Sequence, residues 1–227
     1  MTVTVPRNVS LALVETAQRN GTTLYAVVLA GVFVLLYKHT GQEDLVIGSQ
    51  AASREHGELE GQVGCYLNTV VLRQRIVPGQ TIDQVVQTTS RMLMESLEHQ
   101  SYPFDLLVED LKAPRLKGRP PLFDVQADHV PSTTFRTGPC IAPGIEIEDV
   151  SRDSGFAKYD LSFFTSDEPD TGLQITLEYN RALFQQLTIQ RMADNLQEIL
   201  AAFGENPERA IVHDIPARKT LRAGLRL

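Results

Sequence analysis

Five histidines, two cysteines and a scatter of acids are the side chains of this 227-residue sequence with the chemistry of bases, nucleophiles or metal ligands. His39, His56, His99, His129 and His213 are too far apart for any two to share one helix face, as a helical zinc site requires. Cys65 and Cys140 stand 75 residues apart, with no CxxC pair and no histidine at ligand spacing. His213 and Asp214 are neighbours, and in an extended chain neighbours point to opposite faces. Asp105, Glu109 and Asp110 fall on one short helical segment and read as a solvated face. GxGxxG, GK[ST], GxSxG and HExxH are all absent. By local chemistry alone the chain does not read as a self-sufficient enzyme.

The elements that would position these residues alternate between helix and strand. Thr2–Val5 predicts a short strand ended by Pro6. Asn8 or Ser10 is placed to cap a helix carrying Leu11, Val14 and Ala17 up to Gly21. Thr22 and Thr23 restart a helix, Leu24–Lys38, stopped by Gly41. It is apolar nearly all round and so predicts burial on several faces. Asp44–Ser49 is a short apolar run, the pattern of a buried strand, and Val63–Val77 settles into alternation with Leu72, Gln74 and Ile76 on one side. Thr81 caps a predicted helix through Leu97, and Pro103 opens another over Phe104–Leu111. Strands are expected at Phe123–His129, Gly144–Val150, Lys158–Thr165 and Leu173–Tyr179. A last helix, Phe184–Phe203, has Leu187, Met192, Leu196, Ile199 and Leu200 on its buried stripe. The fold class is α/β: a mixed β-sheet flanked by helices, with some antiparallel pairs.

Composition is that of a globular protein, 42% hydrophobic and 22% charged. The longest apolar run, Leu24–Tyr37, is 14 residues, short of the roughly 20 a membrane-spanning helix needs, and Met1–Pro6 has no signal-peptide pattern. With no disulfide framework, a reducing cytoplasm is the expected setting. The net charge of −7 hides a contrast: Arg218, Lys219, Arg222 and Arg226 crowd the last ten residues, and the rest carries −11. An acidic body argues against nucleic acid, whose phosphates need a basic patch. Residues 1–216 are expected to form the domain. Residues 217–227 are expected to be a disordered tail or a cloning remnant.

Four segments in order resemble a known family: the helix–turn–strand Thr23–Gly48, then IGSQAASR (Ile47–Arg54), VGCYLNTVVLR (Val63–Arg73) and HQSYPFDLLV (His99–Val108). Together they are similar to the C-terminal lobe of condensation domains from non-ribosomal peptide synthetases, half of a chloramphenicol-acetyltransferase-like fold. The resemblance covers Val3 to about Pro216. The family's catalytic motif, His-His-x-x-x-Asp-Gly, belongs to the N-terminal lobe, and this sequence has no adjacent histidine pair. The resemblance therefore implies an acceptor-side lobe, inactive alone, that works with an N-terminal lobe covalently attached or supplied in trans. In the family, peptidyl carrier proteins deliver thioesters on phosphopantetheine arms into a tunnel between the lobes, where an amine attacks and an amide forms. No cofactor is expected on this chain itself.

The resemblance also nominates residues. Asn68 of YLNT matches the family's tunnel-facing asparagine, with Tyr66 beside it. The residues alone equally allow an asparagine that ends regular pairing. Ser49 and Arg54 flank the other signature, and Arg54 either meets an acid across the lobes or holds its own loop. The family pattern is close to Ile-Gly-Thr-Pro-Val-Ala-Gly-Arg; here Gln50 replaces the proline and Ser53 the glycine, removing one fixed φ and one permissive position. Cys65 reads as small core filler. His99 with Pro103 and Phe104 reads as architecture. The basic loop with Lys112, Arg115, Lys117 and Arg119 is a candidate for docking acidic carriers.

Two further readings compete. The lobe is a non-catalytic module that binds carriers or a synthetase subunit, or it belongs to an acyltransferase assembled from several copies, for which His129 is the available histidine. A lone lobe also predicts an exposed, partly apolar face and hence a homodimer.

Overall fold

The computed structural model describes residues 1–54, 56–114, 118–130, 155–168, 172–205 and 215. The elements in chain order are β1 (Thr2–Thr4), α1 (Arg7–Arg19), α2 (Leu24–Thr40), β2 (Asp44–Ala51), β3 (Asn68–Arg75), α3 (Ile82–Glu98), α4 (Phe104–Asp110), β4 (Val125–His129), β5 (Leu161–Glu168), β6 (Gly172–Tyr179) and α5 (Gln186–Glu205). The expected strand Gly144–Val150 lies outside the described residues.

Helix ends follow their caps. Thr23 accepts the Ala26 N–H at the start of α2, and Gly41 ends it in the left-handed region at φ 73°. Thr81 and Gln84 form a reciprocal capping box at the start of α3. The start of α1 departs from expectation. It begins at Arg7 behind Pro6, with no side-chain cap. The Ser10 hydroxyl donates back to the Pro6 and Val5 carbonyls instead. The buried face of α1 is then Leu13, Thr16 and Ala17, and Leu11 turns to solvent. Leu187 of α5 is likewise exposed, because Ile189, Met192, Ala193 and Leu196 set the inward stripe.

The six strands form one sheet in the order β1-β6-β5-β4-β2-β3. β2, β4 and β5 run parallel at the centre, while β3 and the β6–β1 pair close the two sides antiparallel. One face carries Leu45, Ile47, Leu72, Val125, Leu161, Phe163, Ile175 and Leu177, all essentially without solvent contact. Helices α1, α2, α3 and α5 pack there. α2 is buried from Ala26 through Leu36, as its all-round apolarity requires. Gln74 breaks the apolar row of β3 at no cost: Thr89 Oγ1 donates to its Oε1 at 2.7 Å and its Nε2 donates to Thr88 Oγ1 at 3.2 Å.

The opposite face is closed in part by an aromatic cluster. The tip of the Phe123 ring packs against Gly48, with Phe104 at 5.8 Å and Tyr159 at 5.4 Å between ring centroids. No single helix among the described residues is long and apolar enough to cross a membrane.

Candidate functional site

The centre of the sheet is held by a weak ladder. β2 and β4 pair through a single bridge, Gly48 with Gln126. Past it the strands part, and side chains replace the missing backbone bonds. Asp128 Oδ1 accepts the Gln50 N–H at 2.7 Å and the Ser49 hydroxyl at 3.1 Å, while its Oδ2 accepts from Gln126 Nε2. Ser49 Oγ also lies 3.1 Å from the Tyr25 hydroxyl, which donates to the Ala127 carbonyl at 2.8 Å. Ser49, Gln126 and Asp128 are all buried. Burial raises the Asp128 carboxyl above the usual carboxylate range, against the three bonds and the charge of Lys158. Burial likewise pushes the Tyr25 phenol well up.

This cluster was not legible beforehand except for Ser49. Asp124, just before β4, alternates with Gln126 and Asp128 along it, which in a sequence is the pattern of a solvent face; here all three are buried. Gln50 supplies the one hint. A proline there would have no N–H to satisfy, whereas glutamine brings a half-buried donor that needs an acceptor.

Asn68 stands at the first residue of β3, and its amide is fully engaged. Nδ2 donates to the carbonyls of Gln100 and Tyr102, each at 2.7 Å, and Oδ1 accepts the Phe104 N–H at 3.2 Å. It thereby ties β3 to the turn between α3 and α4 and satisfies an open backbone group at the start of α4. Ser53, in the left-handed region at φ 45°, joins the same turn by donating to Gln100 O at 3.2 Å. Asn68→Ala removes all three bonds and is expected to cost about 2–3 kcal/mol, with Asn68→Asp recovering only the Oδ1 contact. Hydrogen exchange checks it: residues 100–104 are expected to lose protection while α2 keeps its own.

Arg54 organises its own loop. Its guanidinium donates to the carbonyls of Leu59, Gln62 and Gly64 and lies 4.2 Å over the Tyr66 ring. The Tyr66 hydroxyl donates to Gln62 Oε1 at 2.7 Å. This loop delays β3 to Asn68, five residues after the start of the expected segment Val63–Val77. Cys65 sits within it, exposed and free, which corrects its reading as core filler; a residue inside a loop tied by its own carbonyls has no core to fill.

Lys112 is exposed just past α4, with φ 49°. Arg119 makes a two-pronged bond to the buried Asp124, with Nε 2.6 Å from Oδ1 and Nη2 on Oδ2. Arg115 and Lys117 lie outside the described residues, as do His213, Cys140 and residues 217–227. His99 caps the C-terminal end of α3 and borders a groove of about 500 Å³ with Thr69, Val71, Glu95, Tyr102 and Asp110. No group of three or more His, Cys, Asp or Glu among the described residues is placed to hold a metal ion.

Comparison with known proteins places this architecture. The chain matches the Condensation domain family over residues 1–215 and belongs to that family. It is 35% identical over 217 residues to tyrocidine synthase 2 of Brevibacillus parabrevis, covering 93% of this chain and 6% of that protein. Against surfactin synthase subunit 1 of Bacillus subtilis it is 33% identical over 195 residues, 86% of this chain and 5% of the synthase. The chain thus spans a small part of the curated relatives it matches. Among solved structures it superposes on a four-domain non-ribosomal peptide synthetase with a TM-score of 0.84 at 26% identity, over 93% of this chain and 17% of that one. The condensation domain from monacolin K polyketide synthase shares the fold, with a TM-score of 0.79 over 93% of this chain and 48% of that chain.

Proposed function

We propose that this chain is the acceptor-side lobe of a condensation domain, forming amide bonds between carrier-bound acyl and aminoacyl thioesters only when a second lobe supplies the His-His-x-x-x-Asp-Gly motif. The observation that carries the reading is the match to 48% of a condensation-domain chain by a sequence with no adjacent histidines. The reaction needs two thioesters held in register and a base near the attacking amine. This lobe contributes a rigid wall: β2 ends at the Ser49–Asp128 cluster, and Asn68 and Arg54 fix the two turns beside it. The phosphopantetheine arm belongs to the carrier partners and enters as part of the substrate.

Of the docking cations, Lys112 is the described one at the surface, and Arg119 acts by holding Asp124. The test mixes this chain with carrier-bound donor and acceptor thioesters, with and without an N-terminal lobe. Amide product is expected only when both lobes are present, and condensation by this chain alone overturns the reading. Capture of carriers with no product in either mixture favours the binding-module reading instead.

Leu67, Met94, Leu106, Leu111, Phe156 and Leu187 are large apolar side chains left exposed. The chain alone is therefore expected to self-associate at high concentration, and sedimentation showing only monomer there counts against a lobe lacking its partner.

A further inference from the structure

His129 ends β4, and its ring is fixed from two directions. Nδ1 lies 3.2 Å from Thr165 Oγ1 on the paired strand β5. The Thr165 hydroxyl has one proton, and it donates that proton to the Asp128 carbonyl at 3.2 Å. A hydroxyl donating that way accepts from the ring, an arrangement that favours the hydrogen on Nδ1 and leaves the lone pair on Nε2. The Tyr25 ring packs beside the imidazole at 5.8 Å between centroids, and the Tyr25 hydroxyl is itself anchored on Ala127. His129 is nevertheless exposed, and no described residue makes a hydrogen bond to Nε2.

The surroundings favour the neutral ring. Partial burial lowers the imidazole below its ordinary range, and the charge of Asp167 on β5 opposes this without reversing it. The other titratable groups around it are Tyr25 on α2, an unionised phenol, and the neighbouring Asp128, whose carboxyl turns toward β2.

Position sets the ring where the sheet's connections diverge. β2 continues to β3 on one side of the sheet, and β4 to β5 on the other. The carboxyl ends of β2 and β4 therefore flank a point where the chain's connections diverge, the place where open α/β sheets bind ligands. His129 stands at the end of one strand and Ser49–Gln50 at the end of the other.

We propose that His129 is a substrate-contacting residue at this end of the sheet, its Nε2 accepting a hydrogen bond from an N–H of an aminoacyl thioester or of the amide in the arm that carries it. The identity of the ligand rests on the condensation reading above; the tautomer does not.

The experiment uses the full chain with ¹⁵N-labelled histidine. Long-range ¹H–¹⁵N correlation at pH 7 is expected to show His129 neutral with the hydrogen on Nδ1, and Thr165→Val is expected to mix the two tautomers. A wild-type His129 protonated on Nε2 overturns the proposal whatever the chain does. Glycyl-N-acetylcysteamine thioester at millimolar concentration is then the probe. A saturable shift of the Nε2 resonance is expected, with binding followed on backbone amides weakened about fivefold in His129→Phe, the worth of one hydrogen bond, and largely kept in His129→Gln, whose carbonyl still accepts. Shifts at Ser49 and Gln50 with none at Nε2 overturn the role of His129 and leave the condensation reading standing. No shift anywhere on the chain overturns the role and counts against that reading as well.

Discussion

Gly48→Ala is expected to destabilise the fold by roughly 3 kcal/mol, more than most single-methyl additions, because the methyl has nowhere to go. A Cβ at this position would lie 2.1 Å from Phe123 Cζ and 2.2 Å from Cε2. The ring has no open retreat, with Phe104 and Tyr159 packed on it. For a chain of this size the loss corresponds to a drop in melting temperature of roughly 2–4 °C per kcal/mol. A double-mutant cycle gives the sharper check. Phe123→Ala alone is expected to cost about 3–5 kcal/mol, and adding Gly48→Ala to it should cost little more, since the clash is already gone. Additive losses would show that Gly48 serves something other than the ring. The same contact explains why the strand carrying Ser49 keeps its path beneath the aromatic cluster.

Asp128→Ala is the second large effect. It strips the acceptor from the half-buried Gln50 N–H and from the buried Gln126 amide, and is expected to cost about 2–3 kcal/mol. Asp128→Asn is expected to stay within about 1 kcal/mol of wild type, because its Oδ1 keeps Gln50 and Ser49 while a turned Gln126 amide accepts from its new N–H₂. The pH dependence separates charge from bonding. The folded-state pKa of Asp128 is raised, so its contribution is present below the unfolded carboxyl pKa and is lost as pH rises through the folded value. Denaturant unfolding across that window is expected to shift the balance between wild type and Asp128→Asn against wild type as pH rises. His129 acts in the other direction and at higher pH: its lowered pKa gives stability that fades as pH falls through the folded imidazole pKa. Repeating the comparison in His129→Gln removes that contribution. A difference that does not change with pH would mean Asp128 is uncharged throughout, or ionised without penalty.

Much of the architecture was legible because local rules coincide with it. Thr23, Gly41, Thr81 and Gln84 set helix ends through groups within four residues of themselves. Leu72, Gln74 and Ile76 were correctly read as one inward face, and the α/β class followed from the alternation of periods. The expected stripe of α5 is buried at Met192, Leu196, Ile199 and Leu200, and only Leu187 falls outside it; in α1 Ala17 is buried while Leu11 faces solvent. Both exceptions lie in the first turns of their helices, where few partners from the rest of the fold cover the side chain.

The site residues divide differently. The resemblance pointed to Asn68, Ser49, Arg54 and Tyr66, and the fold shows what each touches: a turn 32 to 36 residues away, a buried carboxyl 79 residues away, and a loop closed within ten residues. Asp128 had only the hint of Gln50, and the Thr165 contact of His129 had no sequence signal, since both arise from strands brought together across the chain. The residues by themselves determined the capped ends of α2 and the capped start of α3, which strand faces are apolar, and that no histidine pair is present. Only the tertiary structure decided that β2 and β4 part after one bridge. The reason is that backbone groups left unpaired by such a parting must find partners among whatever side chains the sheet order sets beside them, and that order is a property of the assembled sheet rather than of any one segment.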